Sequence, residues 1–159
     1  MQVDAEAAAL SACREVGRLD VGPSFALHSL AGLERLERVA GGIDVSGNAE
    51  LSGLFLPALV AVGGDLVIAD NRQVVTVSLH HLIEVGGHVI VRGNRALVRL
   101  DLGALRRIGG RLEVSGQPEL ETVVLDHLES ADELVLEDNP AWPAEEVDLV
   151  TRKLERRAR

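Results

Sequence analysis

At 159 residues the chain falls within the usual size of one domain, and its 47% hydrophobic and 26% charged content is that of a folded protein. Aromatic residues are nearly missing (no Tyr, one Trp, two Phe), so Leu, Val and Ile must build the core and base-stacking or sugar-stacking platforms are disfavoured. The net charge of −9 argues against nucleic acid as a partner, because phosphate binding needs a basic surface. The single Cys13 excludes an internal disulfide, and there is no CxxC pair to suggest zinc or redox chemistry. The first ten residues (MQVDAEAAAL) do not read as a signal peptide, and the longest apolar run, 54–62, is far short of the ~20 residues that span a bilayer. The chain reads as soluble, with membrane contact not expected.

Residues 5–15 are rich in helix formers and predict an N-terminal cap helix within 1–15, with Cys13 on it as a small buried residue. A degraded repeat follows over 16–39, with Ser24 in the slot that later units fill with an amide. From there Asn48, Asn71, Asn94, Gln117 and Asn139 recur at spacings of 23, 23, 23 and 22. Apolar residues keep step with them. Five and three residues before the anchors stand pairs such as Leu66 and Ile68, or Leu112 and Val114. Three, six, eight and eleven residues after them stand quartets such as Leu97, Leu100, Leu102 and Leu105. The residue fourteen after the anchor (Val62, Val85, Ile108, Ala131) closes each unit, and Gly-Gly follows at 63–64, 86–87 and 109–110.

Each unit carries two period-two segments, hence two short strands. The Gly-Gly pair reads as a turn that tolerates positive φ between units. Units this short must wind as coils whose strands stack in parallel, ~4.8 Å per layer. The predicted fold is mainly β: a right-handed parallel solenoid of five to six coils over 16–142. It is closed by a C-terminal cap helix within 143–159, whose acids come first and arginines last. The chain is one domain, 1–159.

Leu56-Pro57-Ala58-Leu59, then Val62-Gly63-Gly64 and Leu66-Val67-Ile68, follow the wording L-P-x-L-x-x-V-G-G-x-L-x-I. The run from Leu97 to Val114 repeats it. Leu10 to Cys13 ahead of Gly17-Arg18-Leu19, and Asn139-Pro140 with Trp142, match the opening and close of the same pattern. Nearly the whole chain thus resembles the receptor L domain, the leucine-rich-repeat-like solenoid of insulin and epidermal growth factor receptors and of many bacterial and fungal surface proteins. The resemblance implies ligand binding at a cell surface or in secretion. The receptor relatives carry disulfides, which a single Cys13 cannot form.

The amides Asn48, Asn71, Asn94, Gln117 and Asn139 are expected to form a structural ladder that satisfies backbone groups at tight bends. His81 and His127 share one slot but lie two coils apart. Their backbones are then roughly 9–10 Å apart, which is long for two ligands on one metal ion. No catalytic or cofactor motif occurs, so a non-enzymatic protein without cofactor or metal is expected. Two outward rows are candidate interaction surfaces: Asp44, Val67, Ile90, Glu113 and Val135 on the first strands, and Phe55, Ser78, Asp101 and Val124 on the second. Simple β propensity accounts equally for the apolar members. The basic segment 152–159 reads either as a strip for acidic partners or as a dipole-matched helix end. The expected role is protein recognition, with self-association and an envelope glycan as alternatives; the partner and compartment stay open.

Overall fold

The computed structural model describes residues 12–157. Its chain winds as a parallel β-solenoid of about five turns followed by one helix, α1 (Ala144–Arg157). Strands β1 to β15 form three sheets rather than the two read from the sequence. The six-stranded sheet holds β2 (Leu19–Val21), β4 (Ile43–Ser46), β7 (Leu66–Ala69), β10 (Val89–Arg92), β13 (Arg111–Ser115) and β15 (Glu133–Glu137). The four-stranded sheet holds β5 (Gly53–Phe55), β8 (Thr76–Ser78), β11 (Arg99–Asp101) and β14 (Thr122–Val124). The third is made of residue pairs: β1 (Glu15–Val16), β3 (Arg38–Val39), β6 (Ala61–Val62), β9 (Glu84–Val85) and β12 (Arg107–Ile108).

All pairings are parallel and in strict repeat register: Leu66 faces Val89 and Val89 faces Leu112, just as Leu100 faces Val77 and Val123. The repeat therefore places like residues in columns. Leu66, Ile68, Val74, Val77, Leu79 and Leu82 are wholly buried in one coil, and the equivalent residues of the next coil lie directly on them. Aliphatic side chains suit such a column because each fills the same volume in every layer, where a large ring would break the step. Trp142, the one Trp, is buried where the repeat ends and donates its indole N–H to Glu146 (3.2 Å).

The Gly-Gly pairs do not work through positive φ. That conformation falls instead on the residue just before each amide: Gly47 (φ 70°), Asp70 (55°), Gly93 (64°), Gly116 (64°) and Asp138 (55°). Gly and Asp are among the residues that enter this region at least cost, which explains the restricted choice in that slot. The Gly-Gly pairs answer to crowding. A Cβ on Gly86 would overlap the carbonyl oxygen of Gly63 and sit 3.0 Å from its carbon, and Gly109 stands in the same relation to Gly86. Here one backbone lies directly on the next, with no room for a side chain.

The N-terminal helix expected over 5–15 falls mostly outside the described residues. Where it can be checked it is absent: 12–14 are not helical and Glu15 already pairs with Arg38 in a sheet. Cys13 is half-buried on this non-helical segment. At the other end, α1 places Val147, Val150 and Leu154 against the core, with Leu154 buried. Its basic end reaches the last coil: Lys153 Nζ donates to the carbonyls of Leu125 (3.3 Å) and Asp126, and Arg157 to that of Leu128 (2.7 Å).

Removing one columnar side chain leaves a hole between two layers, so Leu100→Ala and Leu102→Ala should each cost about 2–5 kcal/mol in chemical denaturation. Gly86→Ala should destabilise more than Gly93→Ala. The obstruction at Gly86 is backbone, whereas at Gly93 it is the movable Asp70 carboxylate plus about 1 kcal/mol of conformational strain. Comparing the two melting temperatures tests the assignment.

Candidate binding face

The residues read as outward do form continuous rows. Across the six-stranded sheet, Asp20, Asp44, Val67, Ile90, Glu113 and Val135 are successive register partners. Val67 and Ile90 are half-buried and sit on adjacent strands about 4.8 Å apart, so their side chains form one contiguous apolar spot. The carboxylates on either side of it are held in place. Asp44 accepts from the Ser46 hydroxyl. Glu113 accepts from Ser115 (3.1 Å), pairs with Arg111 (3.0 Å) and keeps only 13% of its side chain exposed. The spot thus has an orienting acid on the Asp44 side and a neutralised, largely covered one on the other. Beside Val67 the face dips into a shallow groove of about 420 Å³, bounded by Arg18, Gly42, Asp65 and Gly64.

The second row, Phe55, Ser78, Asp101 and Val124, is equally well registered but chemically interrupted. Phe55 is 55% exposed and its ring folds back over Gly53. Ser78 bonds to His80 (3.1 Å), and Asp101 accepts from the Gly103 amide (3.1 Å) and pairs with Arg99 (3.3 Å). These polar residues separate Phe55 from Val124 by three strand steps, so the row offers no joined apolar area.

A third face had no counterpart in the sequence reading. Glu15, Arg38, Ala61, Glu84 and Arg107 align on the five-stranded sheet over a groove of about 520 Å³. Its signal was present thirteen residues after each amide, at Ala61, Glu84, Arg107 and Ser130, but a two-residue strand is too short to display a period.

The amide ladder lies inside the coil, with Asn48, Asn71, Asn94 and Gln117 wholly buried. Each carbonyl oxygen accepts from the backbone N–H one coil earlier: Asn71 from Asn48 (3.1 Å), Asn94 from Asn71 (3.1 Å), Gln117 from Asn94 (3.0 Å), Asn139 from Gln117 (3.1 Å). Each Asn amide also donates to a strand carbonyl of the preceding coil: Val21, Val45, Ile68 and Val114. Gln117 breaks the pattern. Its longer side chain keeps the acceptor in place but leaves Nε2 buried without a partner. Ser24 does not join the ladder. Its hydroxyl accepts from Ala26 and Leu27 instead, and Asn48 Oδ1, the ladder's first rung, stays unpaired.

Three of the five histidines are tied to backbone. His81 and His127 each bind, through Nδ1, a carbonyl of the previous coil (Pro57 and Gly103, both 2.6 Å). His88 Nδ1 accepts from the Arg111 amide (3.0 Å), as Asp65 accepts from that of His88 (2.7 Å). Among the described residues no three His, Cys, Asp or Glu side chains converge as a metal site, and no helix is long and apolar enough to cross a membrane. On the exposed surface the Asp20 carboxylate raises the pKa of Arg18, and the Gly32 amide lowers that of Glu34. No protein-family model, curated protein or solved structure matches the chain.

The ladder makes a two-sided prediction. Asn71→Ala strands the Asn48 amide and removes a second hydrogen bond from the Val45 carbonyl, and should destabilise by about 2 kcal/mol, at 1–3 kcal/mol for the orphaned N–H. Gln117→Asn should instead stabilise by about 1 kcal/mol, because the shorter amide would reach the Val91 carbonyl as its neighbours reach theirs. Urea midpoints of both variants test this.

Proposed function

We propose that the chain is a non-enzymatic protein-recognition module that uses the Val67–Ile90 face, built on a right-handed solenoid of the receptor L-domain type that carries α1 at its C-terminal end. The observation that supports this reading is the adjacency of those two side chains on neighbouring strands of a rigid parallel sheet, flanked by the oriented carboxylate of Asp44. Stacked coils give every strand the same fixed separation, so such a face meets a partner with little ordering cost. The flat, shallow outline of the face suits a protein surface better than a small substrate. Receptor L domains use their sheets for ligand binding, which is what the resemblance adds.

The double variant Val67→Asp/Ile90→Asp should keep the wild-type melting transition, since both side chains lie on the outer surface. It should lose the protein that immobilised wild-type chain retains from an extract of its source. Unchanged retention would overturn the assignment. Light scattering distinguishes the partner: a wild-type mass that is a multiple of 17.0 kDa and falls to one chain in the variant identifies a second copy of the protein, the self-associating scaffold.

A further inference from the structure

The solenoid ends on an edge that its own repeat leaves unpaired. In three successive coils the leucine after the second strand, Leu56, Leu79 and Leu102, donates its amide to the next coil, at Ser78, Asp101 and Val124. The carbonyls of Ser52, Val75 and Val98 likewise accept from the next coil, where the N–H groups of Val75, Val98 and Glu121 donate. On the last coil the equivalent groups, the Leu125 N–H and the Glu121 carbonyl, find no backbone partner among the described residues. Between them, β14 hydrogen-bonds to β11 through Thr122 and Val124, so alternation turns the N–H and carbonyl of Val123 toward the open side. A row of backbone groups spaced for one more strand is therefore left on the edge.

α1 does not close that edge. Between it and β14 lies a groove of about 740 Å³, within the roughly 300–1,000 Å³ of ligand clefts. Its apolar floor includes Val123, Val124 and Val150, with Leu149 65% exposed at its wall. Its charge is opposite to that of the molecule: in a chain of net charge −9, Arg152, Lys153, Arg156 and Arg157 line the groove against Asp126 and Glu146. Lys153 and Arg157 are engaged with last-coil carbonyls, and the exposed Arg152 only approaches Asp148 (3.8 Å). Arg156 forms no ion pair among the described residues.

We propose that this groove binds an extended, acidic segment of a partner protein, which adds to β14 as the missing next strand while its carboxylates meet Arg152 and Arg156. Backbone pairing along β14 supplies affinity, and the alternation of apolar and acidic side chains supplies selectivity. The site is at the end of the coil, away from Val67 and Ile90, and does not depend on that face being used.

A fluorescein-labelled heptapeptide of alternating valine and glutamate is the probe, read by fluorescence anisotropy against the full chain. Saturable binding is expected. It should be abolished by N-methylating either the valine amides or the glutamate amides, but not by both substitutions alike, because only one set points at β14. Arg152→Glu/Arg156→Glu, with an unchanged melting transition, should weaken binding about tenfold or more. Val67→Asp/Ile90→Asp should leave it intact, which separates this site from the outer face. The proposal is overturned by absence of saturable binding, by indifference to both methylation patterns, or by equal binding of a peptide carrying lysine in place of glutamate.

Discussion

Everything in this fold rests on one accounting problem: a coil of 23 residues must turn inward at a bend where water cannot reach its backbone. A buried N–H left without an acceptor costs about 1–3 kcal/mol, and the bend recurs in every layer. The amide side chain solves it with both of its ends. Its oxygen takes the N–H of the coil before, and its nitrogen gives to that coil's strand carbonyl, so Asn71 and Asn94 each bolt two layers together at two points. Because the same residue is both bolt and socket, the layers must stay in register. A one-residue slip would break the ladder and reverse every core side chain at once.

That constraint propagates outward. To bring an amide inside, the chain must swing through positive φ just before it, and so Gly or Asp occupies that slot in all five units. To keep the layers level on the opposite side, backbone must lie on backbone, hence the stacked Gly63, Gly86 and Gly109. Between these two fixed corners the three sheets need only aliphatic filling, and an almost aromatic-free composition follows from geometry rather than from function. The exceptions lie where repetition stops. Ser24 serves its own turn instead of the ladder, and Trp142 fills the end of the core beneath α1.

How far the sequence discloses this depends on the length of the signal. The 23-residue period, the inward residues and the amide column were all legible, since each repeats several times and a column needs only like residues in like slots. The third sheet was not legible, because pairs such as Glu84–Val85 are too short to alternate visibly. The glycines were read for the wrong property: composition marks Gly63 as permissive, but only the stacked layers reveal whether φ or space demands it. Helix propensity over 5–15 likewise gave no warning that Glu15 would be taken up by strand pairing with Arg38, a tertiary contact that local preference does not contain. The two outward rows were legible as rows. Ser78 and Asp101 already stood between Phe55 and Val124 in the sequence; what it could not show was that Glu113 is drawn into a pair with Arg111, which leaves Val67 and Ile90 as the joined apolar area.

A repeating coil has faces that are all alike by construction, so difference is where recognition must be sought. The faces differ only in residues that the ladder and the core leave free to vary. On the six-stranded sheet that freedom produced one apolar step between polar neighbours. At the last coil it produced something the repeat forbids elsewhere, backbone groups with no successor, beside a helix whose cations oppose the charge of the whole chain. An unpaired parallel edge is ordinarily a liability for aggregation, and natural proteins blunt it with charge or cover. Here Lys153 and Arg157 cover part of the edge by reaching its carbonyls, and the stretch at Val123 stays open between them and Leu149. Partial cover of this kind leaves the helix in the path of a further coil, and the proposed strand would have to enter between it and β14. The same helix can therefore both terminate the solenoid and select what is allowed to extend it.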